Sequence, residues 1–380
     1  MWLKTPRNPN SPLAGLKVLE LARVLAGPWA GQILADLGAD VIKVEAPEGD
    51  GTRQWGPPWV ERGGERAAAY YHSTNRGKRG IVADFRDAAD LARVKELAAE
   101  ADVMIENFKT GALAKFGLDH ASLAAINPGL VTCSITGFGQ TGPRAQEAGY
   151  DFVIQAMSGF MALTGEPDGQ PMKMGVSASD LGCGLYSVIA IQAALAMRGR
   201  TGRGQHIDMA LLDCSVGLLA SQATHFLVTG QNPPRMGNGH AQVSAYGVFP
   251  TRDGQVVLAP ANDGLFRKLL TVLGRDDLLG EERFATNAAR LAHRDELDAI
   301  IAVETAKRPD ADLLAACAEA GIPAGPINAI DAVFADPQVQ ARGMRINLDG
   351  VPGVRSPFTF SDAELALDRP SPMKGEDQTG

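Results

Sequence analysis

Short, uninterrupted apolar runs alternate with longer amphipathic ones through the first half of the chain. Leu16 to Leu21 (LKVLEL), the ADVIKVE run ending at Glu45, GIVADF, ADVMIENF and LVTCSIT each read as a strand buried in a sheet. AGPWAGQILADLG, between the first two, predicts a helix with Pro28 near its first turn and Gly38 at its end. RDAADLARVKELAAEA predicts another between GIVADF and ADVMIENF. Repeated strand–helix–strand units with short apolar strands predict an α/β fold, with a mostly parallel sheet covered by helices.

The pattern changes from about Leu211. Helical periodicity runs to Thr229, and QNPPRMGNGHAQVSAYG then breaks regular structure. VFPTRDGQVVLAPA predicts a β-hairpin turning at Asp253-Gly254. Helical segments follow from Asp263 to Gly274 and from Glu296 to Ala320, before AGIPAGPINAI returns to loop and strand character. These shifts place a smaller domain at 226–325, inserted into a large domain built from 1–225 and 326–380. The polar stretch from Glu45 to Tyr70 reads as a long functional or interface loop. The tail, RPSPMKGEDQTG, reads as mobile.

A chain of 380 residues, 45% hydrophobic and 21% charged, has material for a large core. The formal net charge of -8 argues against a generic nucleic-acid binder, while leaving room for a local basic pocket. Cys133, Cys183, Cys214 and Cys317 are scattered without a C-x-x-C pair, so buried free thiols are expected rather than disulfides or zinc. The histidines are equally dispersed, and no metal is expected. No apolar segment opens the chain and no uninterrupted apolar stretch reaches membrane-span length, so a cytoplasmic protein without a membrane partner is expected.

Asp180 is the leading candidate for chemistry. It lies in GVSASDLGCG, where a small, glycine-rich segment meets a long apolar run. The free N–H groups of a helix start would favour its ionised form, and a carboxylate there can attack an activated acyl group or simply cap the helix. Arg76, Lys78 and Arg79 in NRGKRG, with Lys109 and Lys115, could receive a ligand carrying several phosphates, or could be solvated surface. Asn107 and Phe108 end a strand, where they could bond and stack on a ligand. Tyr150 could donate to a carboxylate or thioester; the alternative is a buried tyrosine with a satisfied hydroxyl. His240, in the glycine-rich RMGNGHAQ, could position or protonate an acceptor carboxylate, or be a surface loop residue. The glycines at 137, 139 and 142 spell a dinucleotide fingerprint, but Pro143 follows and no apolar helix opens there.

Taken in order, GLKVLELARVLAGPWAGQILADLGADVIKVE, the N-R-x-K-R segment, ADVMIENFKTGALAKFGL, SITGFGQTGP, GYDFVIQAMSG, the Asp180 segment, TGRGQHIDMALLD, RMGNGH and AGIPAGPINAIDAVFADPQVQARGM resemble the family III coenzyme A transferases. The resemblance covers about Leu13 to Phe360, and RMGNGH looks more like the succinyl-CoA-dependent branch. It implies an interlocked homodimer in which a Rossmann-like large domain from both chain ends carries a smaller inserted α+β domain. It implies that Asp180 attacks the donor acyl-CoA, giving a mixed anhydride and then an aspartyl-CoA thioester. Coenzyme A would be a substrate, with no permanently bound cofactor. Coenzyme A contacts are implied at Val24, Leu25, Ala26, Lys78, Asn107, Phe108, Lys115 and Tyr150, with Arg76 joining from the basic cluster. Leu25, Ala46 and GNGHAQ depart from the formyl-CoA branch, which argues against formyl-CoA and oxalate. The α-methylacyl-CoA racemase branch shares the fold, but its second acid/base is a histidine where this chain has Tyr150, a poor proton exchanger at neutral pH. A non-catalytic CoA-binding module is the other alternative.

Overall fold

In the computed structural model, which describes residues 2–378, six strands form one parallel sheet. They are β1 (Lys17–Glu20), β2 (Asp40–Glu45), β3 (Arg79–Val82), β4 (Val103–Glu106), β5 (Val131–Thr136) and β6 (His206–Ala210). Their order across the sheet is β3-β2-β1-β4-β5-β6. This is the order of an open doubly wound sheet, in which the chain reverses its winding direction between β1 and β4.

Alternate residues of each strand supply two cores. Val18, Val41, Val103 and Val131 pack beneath α1 (Ala26–Asp36) and α4 (Ala178–Thr201). Leu19, Ile42, Ile81 and Met104 face the opposite layer, where α2 (Ala88–Glu100) buries Val94, Leu97 and Ala98. Burial on both faces explains why successive residues inside these strands are apolar, while the buried Glu20 and Lys43 are paired with each other.

The chain divides into two compact units. One comprises residues up to Met161, Lys173–Asn232 and the chain from Pro337; the other comprises Ala162–Met172 and Pro233–Asp336. The second unit therefore includes the segment 162–172, which sequence periodicity places in the large domain. It contains an antiparallel sheet of Gly247–Pro250, Gln255–Leu258 and Ala324–Pro326, with the helices Asp263–Leu273, Arg294–Thr305 and Asp310–Ala320. Its core is formed by residues such as Phe249, Val256, Phe266, Leu297 and Leu313.

Several elements differ from the sequence reading. β6 was not expected: its polar His206 and Asp208 alternate with Ile207 and Met209, as on a strand with one half-exposed face. The stretch from Glu45 to Tyr70 is not an irregular loop. It holds a 3₁₀ turn (Gly51–Gln54) and a hairpin of Trp59–Arg62 with Glu65–Ala68. Arg53 fastens it by bonding Glu45 at 2.6 Å, Glu65 at 2.7 Å and the Tyr71 hydroxyl at 2.7 Å. The helix expected from Leu211 to Thr229 breaks at Ala220, whose φ of 46° leaves α5 (Leu211–Leu218) and α6 (Ser221–Thr229) as separate pieces.

The tail is docked rather than loose. Gly80 donates to the Asp377 carboxylate and accepts from its backbone N–H, and the Gln378 side-chain amide accepts from the Val82 N–H and donates to the Val82 carbonyl, so the tail covers the open edge of β3. An edge strand leaves backbone groups that need partners, and the chain terminus supplies them. By length and composition alone α4 is long and apolar enough to cross a membrane. Its Cys183, Ser187, Ile191 and Ala194 are instead packed in the core. All four cysteines are buried free thiols.

Candidate active site

A cleft of ≈ 330 Å³ opens at the carboxyl ends of β1, β4 and β5. Its walls include Arg23 to Ala26 after β1, Asn107 to Thr110 after β4, the loop from Ala145 to Tyr150, and Asp180. It therefore sits at the point where the winding reverses, the place where open α/β sheets bind ligands because the two flanking loops diverge.

Asn107 ties the two lips together. Its side-chain amide donates to the Arg23 carbonyl at 2.7 Å, and its oxygen accepts from the Arg23 N–H at 2.9 Å. The next residue, Val24, has φ 71°, a conformation that a β-branched residue adopts only when its surroundings impose it. The Val24 N–H is held by Asp50 at 3.2 Å. Leu25 then opens α1 without a side-chain cap. The first-turn N–H of Ala26, which lines the cleft, is thus left without a side-chain cap, where it can stabilise negative charge.

Asp180 arrives on the first turn of α4. Gly184, one turn later, lets α4 approach α1 closely: a Cβ there would stand 2.7 Å from the Ala26 carbonyl oxygen and 2.9 Å from the Trp29 ring. The loop from Ala145 to Tyr150 is fixed in the same way, since a Cβ on Gly137 would stand 2.6 Å from the α-carbon of Gly149.

The electrostatics of Asp180 reverse the sequence expectation. Burial, assisted by the charge of Asp151, pushes its carboxyl up to about 7. The expected stabilisation by a helix start is diverted, because the Asp151 carboxylate accepts from the Ser179 N–H at 2.9 Å and the Asp180 N–H at 3.4 Å. Tyr70 shares a hydrogen bond with Ser177 at the start of the same helix, and burial followed by the charge of Asp180 pushes its hydroxyl upward. Near neutrality, then, an aspartate interconverts between acid and carboxylate in a partly dry cleft, an arrangement suited to a nucleophile that must also leave.

Comparison with known proteins agrees with this geometry. The family model described as CoA-transferase family III matches residues 13–378. The chain belongs to CoA-transferase family III. It is a CoA-transferase, 57% identical over 379 residues to a succinate–glutarate CoA-transferase of Agrobacterium fabrum, covering 98% of this chain and 95% of that one. It is 39% identical over 390 residues to the succinyl-CoA:glutarate CoA-transferase of Homo sapiens, covering 100% of this chain and 88% of that one. The crystal structure of a CAIB/BAIF family protein from Brucella suis superposes with a TM-score of 0.89 at 59% identity, covering 97% of each chain.

Within this family III transferase, Val24, Leu25, Ala26, Asn107, Phe108, Tyr150 and Asp180 converge on the one cleft. Tyr150 is exposed rather than buried. Lys115 is exposed and lies over the Phe116 ring, away from the cleft lining. His240 lies in the second unit, exposed, with its ring edge-on to Tyr246.

Two assignments from the basic cluster need correction. Lys78 is fully buried, and its ammonium donates to Glu20 at 2.9 Å, the Pro28 carbonyl at 2.8 Å and Asn75 at 2.8 Å. All three of its donors are used, so none reaches a ligand phosphate. Burial, opposed by Glu20, pushes it down to about 7. Arg76 is also buried, forked onto Asp36 at 3.0 and 2.5 Å and donating to the Val354 carbonyl at 3.0 Å. Both are struts: Lys78 supports the first turn of α1, and Arg76 ties the end of that helix to the returning chain. Asp151, Tyr70 and Arg23 were missed as site residues. For Asp151 the available signal was its place in GYD beside Tyr150.

Proposed function

We propose that this transferase moves coenzyme A from succinyl-CoA, or a similar dicarboxylyl-CoA, to a carboxylic acid of the glutarate type. The names of the relatives at 57% and 39% identity support that choice. The observation that carries the mechanism is Asp180, held near its titration midpoint at neutral pH in the same cleft as the strained Val24 backbone and the open start of α1.

A carboxylate oxygen of Asp180 attacks the donor thioester carbonyl. The C–S bond breaks, giving a mixed anhydride and CoA thiolate. The thiolate attacks the aspartyl carbonyl, expelling the donor acid and leaving an aspartyl-CoA thioester. The acceptor carboxylate attacks next and releases the thiolate, which then attacks the acceptor's acyl carbon. Asp180 leaves as carboxylate, and no proton is gained or lost overall. The Ala26 N–H opening α1 is suited to each oxyanion in turn, because a fixed dipole in a dry site stabilises developing charge without reorganising.

Asn107, Phe108 and Tyr150 would line the path of the pantetheine arm, with Lys115 available to a phosphate and His240 to the acceptor carboxylate. Apolar side chains left exposed on α4 (Leu185, Tyr186, Ile189, Met197) and on α3 (Asp151–Met157: Phe152, Val153, Met157) support an interlocked homodimer. Free thiols fit a reducing compartment such as the cytoplasm. Coenzyme A is a substrate here, and no resident cofactor is assigned.

Incubation with succinyl-CoA and a panel of acids, followed by product mass, tests this reading. Glutaryl-CoA should form, and failure of every dicarboxylate would overturn the substrate assignment.

A further inference from the structure

Gln155 is a fully buried polar side chain inside the apolar run FVIQAM of α3. Such a group is retained only where its amide is bonded. Its nitrogen donates to the Asp151 carboxylate at 2.8 Å, one helical turn earlier, and to the Val176 carbonyl at 3.3 Å. Its oxygen accepts from the Met174 N–H at 2.9 Å. Met174 lies just after Lys173, where the chain returns to the unit that holds the cleft, and Val176 lies just before α4. Every residue from Pro171 to Val176 is exposed, so core packing does not hold this segment. The buried amide of Gln155 does, at two backbone groups.

We propose that Gln155 is a positioning residue for the transfer reaction: its amide fixes the rotamer of Asp151 and the chain entering α4 together, and so fixes where Asp180 presents its carboxylate. This rests on the reading above, in which Asp180 is the nucleophile, and Gln155 touches no substrate. Its bond to Oδ2 of Asp151 leaves Oδ1 to accept from the Ser179 and Asp180 N–H groups at 2.9 and 3.4 Å. One buried amide therefore reaches the start of α4 by two routes, through Asp151 and through the backbone of Met174 and Val176. Attack on a thioester carbonyl needs the oxygen held close to its approach path, and a misplacement of about 1 Å can lower the rate about a hundredfold. Asp151 on α3 and Tyr70, in the short helix Ala69–His72, are the titratable groups acting on Asp180 or acted on by it, and the cleft wall also carries Arg23, Lys109, Glu147 and Tyr150.

The test uses two variants and two readouts. Gln155→Met keeps the length of the side chain and removes its bonds; Gln155→Glu keeps the acceptor for Met174 but sets a second carboxylate against Asp151. Steady-state transfer from succinyl-CoA to glutarate gives kcat and KM. Infrared difference titration against Asp180→Asn reads the protonation midpoint of Asp180 without any turnover. Gln155→Met should lower kcat by roughly ten- to a hundredfold and leave KM for succinyl-CoA within about twofold. Its midpoint should fall, because Asp151 swings away and the Asp180 N–H is released. In Gln155→Glu the midpoint should rise, since a further negative charge opposes ionisation. Adding Gln155→Met to Asp151→Asn should move the midpoint no further. Melting curves check folding, and Gln155→Glu carries the test if Gln155→Met does not fold. Midpoints unmoved in the variants that fold, or a shift of the same size with and without Asp151→Asn, would make Gln155 a packing residue only and overturn the proposal. Turnover by the wild-type enzyme with no adduct on Asp180 would sink the nucleophile reading itself, a result distinct from either of these.

Discussion

Asp151 closes the open end of the helix that carries Asp180, its Oδ1 accepting from the backbone N–H of Asp180 at 3.4 Å and of Ser179 at 2.9 Å. Ser177, at the capping position, provides no such bond. One carboxylate therefore orients the other and also opposes its ionisation. The reactive form is the carboxylate, so acylation should rise with pH through about 7 and level off above it. Asp151→Asn keeps an oxygen acceptor and removes the charge. Its kcat–pH profile should shift to lower pH, and an unshifted profile would show that burial alone sets the value.

The same aspartate weakens the fold that holds it. Its folded value, about 7, lies above its ordinary 3.8, so between those values the native protein holds more protons than the unfolded chain. Its contribution is full below 3.8 and is lost as pH rises through 7. Asp180→Asn should therefore raise stability at pH 8, by roughly 1–3 kcal/mol, and do less at pH 5. Denaturant titrations at the two pH values check this; equal effects would remove the electrostatic explanation.

Gly184 sets the distance between α4 and α1. Gly184→Ala should cost about 1–3 kcal/mol through overpacking, and should lower kcat/KM because Asp180 lies one turn away on the same face. Gly199→Ala on the same helix meets nothing within 4 Å and is the control. It should leave stability unchanged or raise it by up to about 1 kcal/mol. Thermal melts and initial rates distinguish the two.

Lys78→Met separates a strut from a phosphate ligand. Removing one partner of a buried ion pair should cost about 3–5 kcal/mol, since Glu20 remains buried beside Lys43 alone. A variant of normal stability with a raised KM for acyl-CoA would restore the phosphate role.

The alternation of β1, α1 and β2 was readable because buried parallel strands are apolar on both faces. The sheet order was not, because pairings such as β1 with β4 join residues far apart in sequence. Asp180 was readable from its setting, but its raised titration was not, since it depends on burial and on Asp151, brought from another helix. NRGKRG resembles a solvated basic patch, and nothing local reveals that Asp36 and Glu20 lie beneath it. The tail resembles other polar termini, and only the open edge of β3 gives it a place.

The most direct test is intact-protein mass spectrometry after brief exposure to succinyl-CoA without acceptor, with peptide mapping of any adduct. A CoA thioester or acyl adduct on Asp180, absent from Asp180→Asn, is predicted. Product formation at full rate with no adduct at that residue would contradict covalent transfer through Asp180.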